Sequence, residues 1–267
     1  MNKRRVDRST LFGTLLAFAG IVGGLVLDGG SVRQILQPSA AFIVVAGTLG
    51  VVMIQFPMKT VIEALKLLPY LLYERAPLCA ATLEEMVSYC SQARRHGILR
   101  LDSQLGDIED PFLRKSLTFA VDGVSPKIMR ESMELELDLL DEREFSAVKL
   151  LEASGGFAPT LGIIGAVLGL IQVMQRMDNV SEIGNGIAVA FVSTLYGLGL
   201  ANVVLLPLAG KLRIRLRERQ LAREMVLDAV TSIMEGMGPL ALRNRLEGYL
   251  VDESMKKEPV AKPKLVA

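Results

Sequence analysis

Four stretches of the chain are free of Asp, Glu, Lys, Arg and His: residues 10–27, 39–56, 155–174 and 186–208. Each holds roughly 18 to 23 residues, which at about 1.5 Å per residue covers a hydrocarbon core of about 30 Å. Helices buried in a water-soluble protein seldom stay charge-free for so long, so the pattern predicts four transmembrane helices. Between the second and third stretches the pattern changes. Leu83, Met86, Val87, Cys90 and Ala93 recur at helical spacing and form one apolar face. Asp110-Pro111 and Ser125-Pro126 each set a capping side chain before a proline, which marks a helix start. Met133, Leu137, Leu140, Val148 and Leu151 carry an apolar stripe almost into the third span, interrupted by Asp141, Glu142, Arg143 and Glu144. One long helix emerging from the membrane is expected there. After the fourth span, charges alternate from residue 209 onward, and then Leu221, Met225, Val230 and Ile233 share a face as far as residue 234. The two extensions are expected to pack together as a stalk. The fold class predicted is an all-α membrane protein, with four transmembrane helices and long cytoplasmic helical extensions of spans three and four.

Basic residues orient the spans. Lys3, Arg4, Arg5 and Arg8 precede the first, and Lys211, Arg213, Arg215, Arg217, Arg219 and Arg223 follow the last, whereas the connections 28–38 and 175–185 hold only Arg33 and Arg176. Basic flanks stay on the cytoplasmic side, so both termini are expected there and the two short connections face outward. No small-residue cleavage site closes the first stretch, and Asp28-Gly29-Gly30 leads into a second span, which fits a hairpin rather than a signal peptide. The expected division is a cytoplasmic N-terminus (1–9), a hairpin of spans one and two (10–56), a cytoplasmic helical domain (57–154), spans three and four (155–208), C-terminal cytoplasmic helices (209–253) and a disordered Lys- and Pro-containing tail (254–267).

Composition then narrows the function. The 267 residues are 51% hydrophobic and 22% charged, and 30 basic against 29 acidic side chains leave a formal charge of +1. A nucleic-acid binder needs a large basic excess to displace counterions, so that class is excluded. Cys79 and Cys90 fall in the cytoplasmic segment without metal-ligand spacing and read as packing residues. With a solitary His96, no nucleophile-base pair and no phosphate-cradling glycine motif, neither an enzyme nor a bound cofactor is expected. Proteins that carry protons or cations normally place an Asp or Glu within the bilayer, yet none of the four spans has one. Their polar groups are hydroxyls and amides, among them Thr160, Ser193, Thr194, Tyr196 and Asn202. Gly162 and Ala166, and Gly165 and Gly169, are four apart, a spacing that lets helices approach closely. Pro159 and Pro207 weaken the helices of spans three and four near the membrane boundary. Taken alone, Arg94, Arg95, His96 and Gly97 read as a solvated helix end closed by glycine.

The segments FAPTLGIIGAVLGL (157–170), GIAVAFVSTLYG (186–197) and LPLAGKL (206–212) resemble the MotA/TolQ/ExbB proton channel family. The four-span order, the large loop, ARRHGIL (93–99) and EGMGP (235–239) are similar to its MotA branch, the flagellar motor stators. The resemblance implies a bacterial inner-membrane homo-pentamer around two copies of a single-span, peptidoglycan-anchored MotB partner, whose membrane Asp carries the ion. That division of labour accounts for spans without a carboxylate. Pro159 and Pro207 match the prolines that couple ion passage to movement, and Thr194 matches the threonine facing the partner's Asp. Arg94 and Asp102 match a charged pair that contacts the rotor protein FliG, with Arg95 beside them; Asp102 stands where the family has the longer Glu. Ala166 stands where sodium-driven relatives place a threonine, and without that oxygen donor the expected ion is H+. The alternative is an ExbB- or TolQ-like energiser of an outer-membrane transport or integrity system. Those relatives have three spans with the first reversed, unlike the two early spans joined at Asp28-Gly29-Gly30.

Overall fold

The computed structural model describes residues 5–71, 73–74, 78–175 and 180–250; Lys3, Arg4, Arg176 and the tail 254–267 lie outside the described residues. The chain divides into two units, one of Met1–Arg75 with Arg143–Ile214 and one of Ala76–Glu142 with Arg215–Ala267. Among the described residues four helices are long and apolar enough to cross a membrane, as the charge-free stretches predict.

In the first unit, α1 (Arg8–Leu27) begins at Asp7, whose carboxylate accepts the N–H groups of Ser9 at 3.1 Å and Thr10 at 3.2 Å. Two otherwise unpaired donors of the first turn are satisfied in this way. The helix ends at Asp28, and Gly29 takes φ +78°, a left-handed conformation that a side chain would strain. None of its span is buried, as expected for a helix surrounded by lipid. A short 3-10 turn, Val32–Ile35, leads to α2 (Pro38–Gln55), and α3 (Met58–Leu71) follows. The helix α2 buries Ala40, Val44, Thr48 and Val52, one per turn, and packs on α7 (Val180–Gly199). One feature departs from the all-helical expectation. Strand β1 (Arg5–Val6) pairs antiparallel with β2 (Tyr73–Glu74), Arg5 opposite Glu74 and Val6 opposite Tyr73. Two residues per strand are too few to leave an alternating pattern in the sequence.

Both long helices are present. The helix α6 (Pro126–Gln175) runs 50 residues through Pro159, and α7 continues through a π-helical turn, Leu200–Leu205, into α8 (Leu206–Met234). Within the first unit Arg213 of α8 pairs with Glu152 of α6, and Arg143 of α6 with Glu63 of α3. The Arg143 guanidinium holds the Glu63 carboxyl below its usual range.

The second unit contains α4 (Leu78–His96), a 3-10 segment (Ile98–Asp107), α5 (Pro111–Val121) and α9 (Pro239–Leu246). Leu83 and Met86 of α4, Leu117 of α5, Met129 and Met133 of α6, Met225 and Val230 of α8, and Leu242 and Leu246 of α9 are buried together. Each large side chain fully buried contributes about 1.5–3 kcal/mol, so this cluster is the unit's main source of stability. Asp110 caps α5 by accepting from Phe112 N at 2.8 Å and Leu113 N at 3.3 Å, and Gly97 ends α4 at φ +83°. Asp141, inside the charged interruption of the α6 stripe, pairs with Arg223 of α8 at 3.6 Å.

Candidate functional site

The third and fourth spans meet along a seam made of glycine. A Cβ placed on Gly162 would lie 2.9 Å from the Ser193 carbonyl oxygen and 3.3 Å from the Cα atoms of Thr194 and Gly197. On Gly165 it would meet the Ser193 side chain at 2.7 Å, and on Gly169 the Gly186 carbonyl oxygen at 2.8 Å. From the opposite helix, a Cβ on Gly197 would lie 2.6 Å from the Ala158 carbonyl oxygen and 3.2 Å from Pro159 Cα. Backbone therefore touches backbone at Gly162 and again at Gly169, about two turns of α6 apart, an approach that residues without side chains permit. The hydroxyls on this seam bond to carbonyls of their own helix. Ser193, fully buried, donates to the Val189 carbonyl at 2.7 Å, and Thr194, half-buried, donates to the Ala190 carbonyl at 3.3 Å.

The two prolines act on this seam in different ways. Pro159 has no N–H, so the Gly155 carbonyl loses its donor four residues on, yet α6 continues as one helix. Gly155 itself lies against Leu206, the residue before Pro207, with a built Cβ 2.6 Å from the Leu206 Cδ2. Pro207 is accommodated by a change of helix type: the Leu206 N–H donates five residues back, to the Ala201 carbonyl, closing the π-helical turn. Pro159 and Thr194 thus lie along one seam, and the end of the turn before Pro207 packs on Gly155 of the same helix as Pro159. Ala166, half-buried, follows Gly162 by one turn of α6.

Arg94, Arg95 and Asp102 belong to the second unit, where each is exposed and none makes an ion pair among the described residues. The Arg94 guanidinium lies over Gly238, with Nη1 2.7 Å from a Cβ built there, and the Cys90 thiol donates to the Met237 carbonyl at 3.3 Å. The segments 93–99 and 235–239, read separately in the sequence, are therefore neighbours. Burial pushes the Cys90 thiol pKa up, with the Arg94 charge opposing it. Near the same helix, a cavity of about 480 Å³ is lined by Glu85, Tyr89, Gln104, Asp107 and Glu109. Burial, followed by the Glu85 charge, pushes the Tyr89 hydroxyl up to about 12. Among the described residues no group of His, Cys, Asp and Glu could hold a metal ion.

Three contacts had no signal in the sequence. The Tyr196 hydroxyl donates to the Ile35 carbonyl and accepts from the Gln37 N–H at 3.3 Å. Lys211 donates to Asp7 and to Thr10, and Asp228, 7% exposed, accepts two bonds from Arg245 at 2.7 and 2.6 Å. Each joins residues from separate helices or loops, and periodicity along one helix says nothing about its partner.

Comparison with known proteins agrees with this architecture. Residues 11–97 match the family model for the motility protein A N-terminal region, and residues 104–225 the model for the MotA/TolQ/ExbB proton channel family. The chain is 36% identical over 249 residues to motility protein A of Bacillus subtilis, covering 92% of this chain and 91% of that one. It is 31% identical over 245 residues to the chemotaxis protein PomA of Vibrio alginolyticus, covering 92% and 96%. Among solved structures it superposes on C. jejuni MotAB with a TM-score of 0.85 at 28% identity, covering 97% of this chain and 99% of that one. On the flagellar MotAB stator complex from Bacillus subtilis the TM-score is 0.83 at 34% identity, covering 94% and 100%. The chain belongs to the MotA/TolQ/ExbB proton channel family. Within it the chain is of the MotA type, a membrane-embedded stator subunit of the flagellar motor and not an enzyme. The match to the motility protein A N-terminal region, which holds both early spans, sets aside the ExbB- or TolQ-like alternative.

Proposed function

We propose that this subunit assembles as a pentamer around a MotB-type single-span partner and lines a pathway for H+, with both termini in the cytoplasm. The observation that carries the reading is the glycine seam: it fixes Thr194 beside Gly162 and Pro159 beside Gly197, in spans that hold no carboxylate. A titratable group must then come from the partner, and the Thr194 hydroxyl is the seam group suited to hydrogen-bond that carboxylate or a hydrated ion. Ala166 adds no oxygen, which favours H+ over a hard cation that needs oxygen ligands. One charge crossing 100 mV is worth about 2.3 kcal/mol, so torque accumulates over many crossings and each must move the protein. Pro159 and the π-helical turn before Pro207 are where helical hydrogen bonding is weakest, and they couple the crossing to motion. In the loop between spans two and three, Arg94, Arg95 and Asp102 are exposed and unpaired with one another, which suits contact with the rotor protein FliG. The domain limits 57–154 and 209–253 mark the cytoplasmic parts in this reading.

The test is rotation in a host whose own stator genes are deleted. The chain and its partner restore swimming without sodium and lose it with a protonophore. Arg94→Glu leaves the membrane level unchanged and lowers torque at high load. Rotation that requires sodium at neutral pH refutes the ion assignment, and normal torque from Arg94→Glu refutes the rotor contact.

A further inference from the structure

We propose that Asp7 and Lys211 form a clasp that positions the end of the fourth span, by tying the turn after Pro207 to the start of α1. This inference rests on the stator reading above. Lys211 lies one turn beyond Pro207 on α8, and its Nζ donates to Asp7 Oδ2 and to Thr10 Oγ1. The two charged side chains are largely buried, at 18% and 12% exposure. The other carboxylate oxygen of Asp7, Oδ1, is already committed to the first turn of α1, where it also accepts from Ser9 Oγ at 2.6 Å. One side chain therefore serves both as helix cap and as ion-pair partner. Lys211, and after it the Ser9 hydroxyl, hold the Asp7 carboxyl far below the usual carboxylate range, so Asp7 is ionised at neutral pH.

The segment before the clasp is itself held. Arg5 and Val6 pair through their backbones with Glu74 and Tyr73 in the same unit. Asp7 is thus the side-chain end of a segment whose backbone is fixed elsewhere, and Lys211 is pinned to something that resists being pulled. The segment from Leu200 to Pro207 is the opposite: its π-helical turn exchanges the α-helical bonds for longer-range ones and its proline supplies no N–H. A deformable turn passes motion onward only if the helix beyond it has a fixed point to pivot on. The clasp supplies that point four residues after the proline. Asp7 and Lys211 are positioning residues in this scheme, since neither touches the ion.

The experiment uses the full chain with its single-span partner in a host lacking stators. Asp7→Asn, Lys211→Met and the exchange Asp7→Lys with Lys211→Asp are compared for membrane level, bead rotation at high load, and H+ flux into vesicles holding the complex. Breaking the pair in either variant releases the start of α8 from its fixed point, so each single variant loses torque about tenfold while the flux persists. The exchange rebuilds the pair in reverse and recovers torque well above either single variant, short of wild type because a lysine at position 7 cannot cap α1. Wild-type torque in the single variants overturns the proposal, as does an exchange no better than they are, or a parallel loss of flux and torque. If the single variants fail to accumulate, the exchange must restore accumulation, and failure to do so overturns it as well. A wild-type complex that turns no motor refutes the stator reading instead, which separates the two failures.

Discussion

Replacing Gly197 by alanine tests the seam directly. The added methyl carbon would stand 2.6 Å from the Ala158 carbonyl oxygen, 3.1 Å from Gly162 Cα and 3.2 Å from Pro159 Cα. All three are backbone atoms of α6, so no rotamer change relieves the contact. Carbon and oxygen settle at about 3.3–3.6 Å, which requires the two helices to part by about 0.7–1.0 Å. Overpacking of that kind costs about 1–3 kcal/mol. Alanine also has a better helix propensity than glycine, by about 1 kcal/mol, and this partly offsets the loss. Gly199, two residues on in the same helix, separates the terms, since nothing lies within 4 Å of a Cβ built there. Gly199→Ala keeps the propensity gain without the collision. Gly197→Ala is therefore expected to be less stable than Gly199→Ala by about 1–3 kcal/mol, a difference in unfolding midpoint of about 2–12 °C for a chain of this size. Thermal unfolding of the two variants, purified in the same detergent with the partner subunit, measures it. Equal midpoints would refute the backbone-to-backbone seam, and with it the account of why Thr194 and Pro159 are held where they are.

Two further outcomes follow from the hydrogen bonds. Tyr196→Phe removes the donor to the Ile35 carbonyl and the acceptor of the Gln37 N–H, and lowers stability by about 1 kcal/mol, read as faster amide exchange at residues 35–37. Among the described residues, Arg245→Met leaves the buried Asp228 with Arg130, at 4.0 Å, as its ion-pair partner and destabilises the second unit by about 1–3 kcal/mol. Limited proteolysis reports that loss, and adding Asp228→Asn recovers part of it because the stranded charge is gone.

Much of the fold is legible in the sequence because its determinants are local. The absence of charge over a span's length marks the four membrane helices, and Asp110-Pro111 and Gly97 mark a helix start and a helix end where the structure has them. The stripe from Met133 to Leu151 announces α6, and the face of Leu221, Met225, Val230 and Ile233 announces α8. The resemblance to the stator family also rests on contiguous segments, so it too needs only the chain.

Residue type and spacing along the chain are enough to show which segments are helical, which are long and apolar enough to lie in lipid, and that the charge-free stretches hold no carboxylate. What faces what is a matter of packing. Which of the 24 glycines sit against backbone, that Arg94 covers Gly238, that Pro207 is absorbed by a π-helical turn, and that Lys211 reaches Asp7 across 204 residues all depend on how helices are brought together. A helix carries a periodic record of its own buried face, but the identity of the group opposite is set by packing, and no local pattern encodes it.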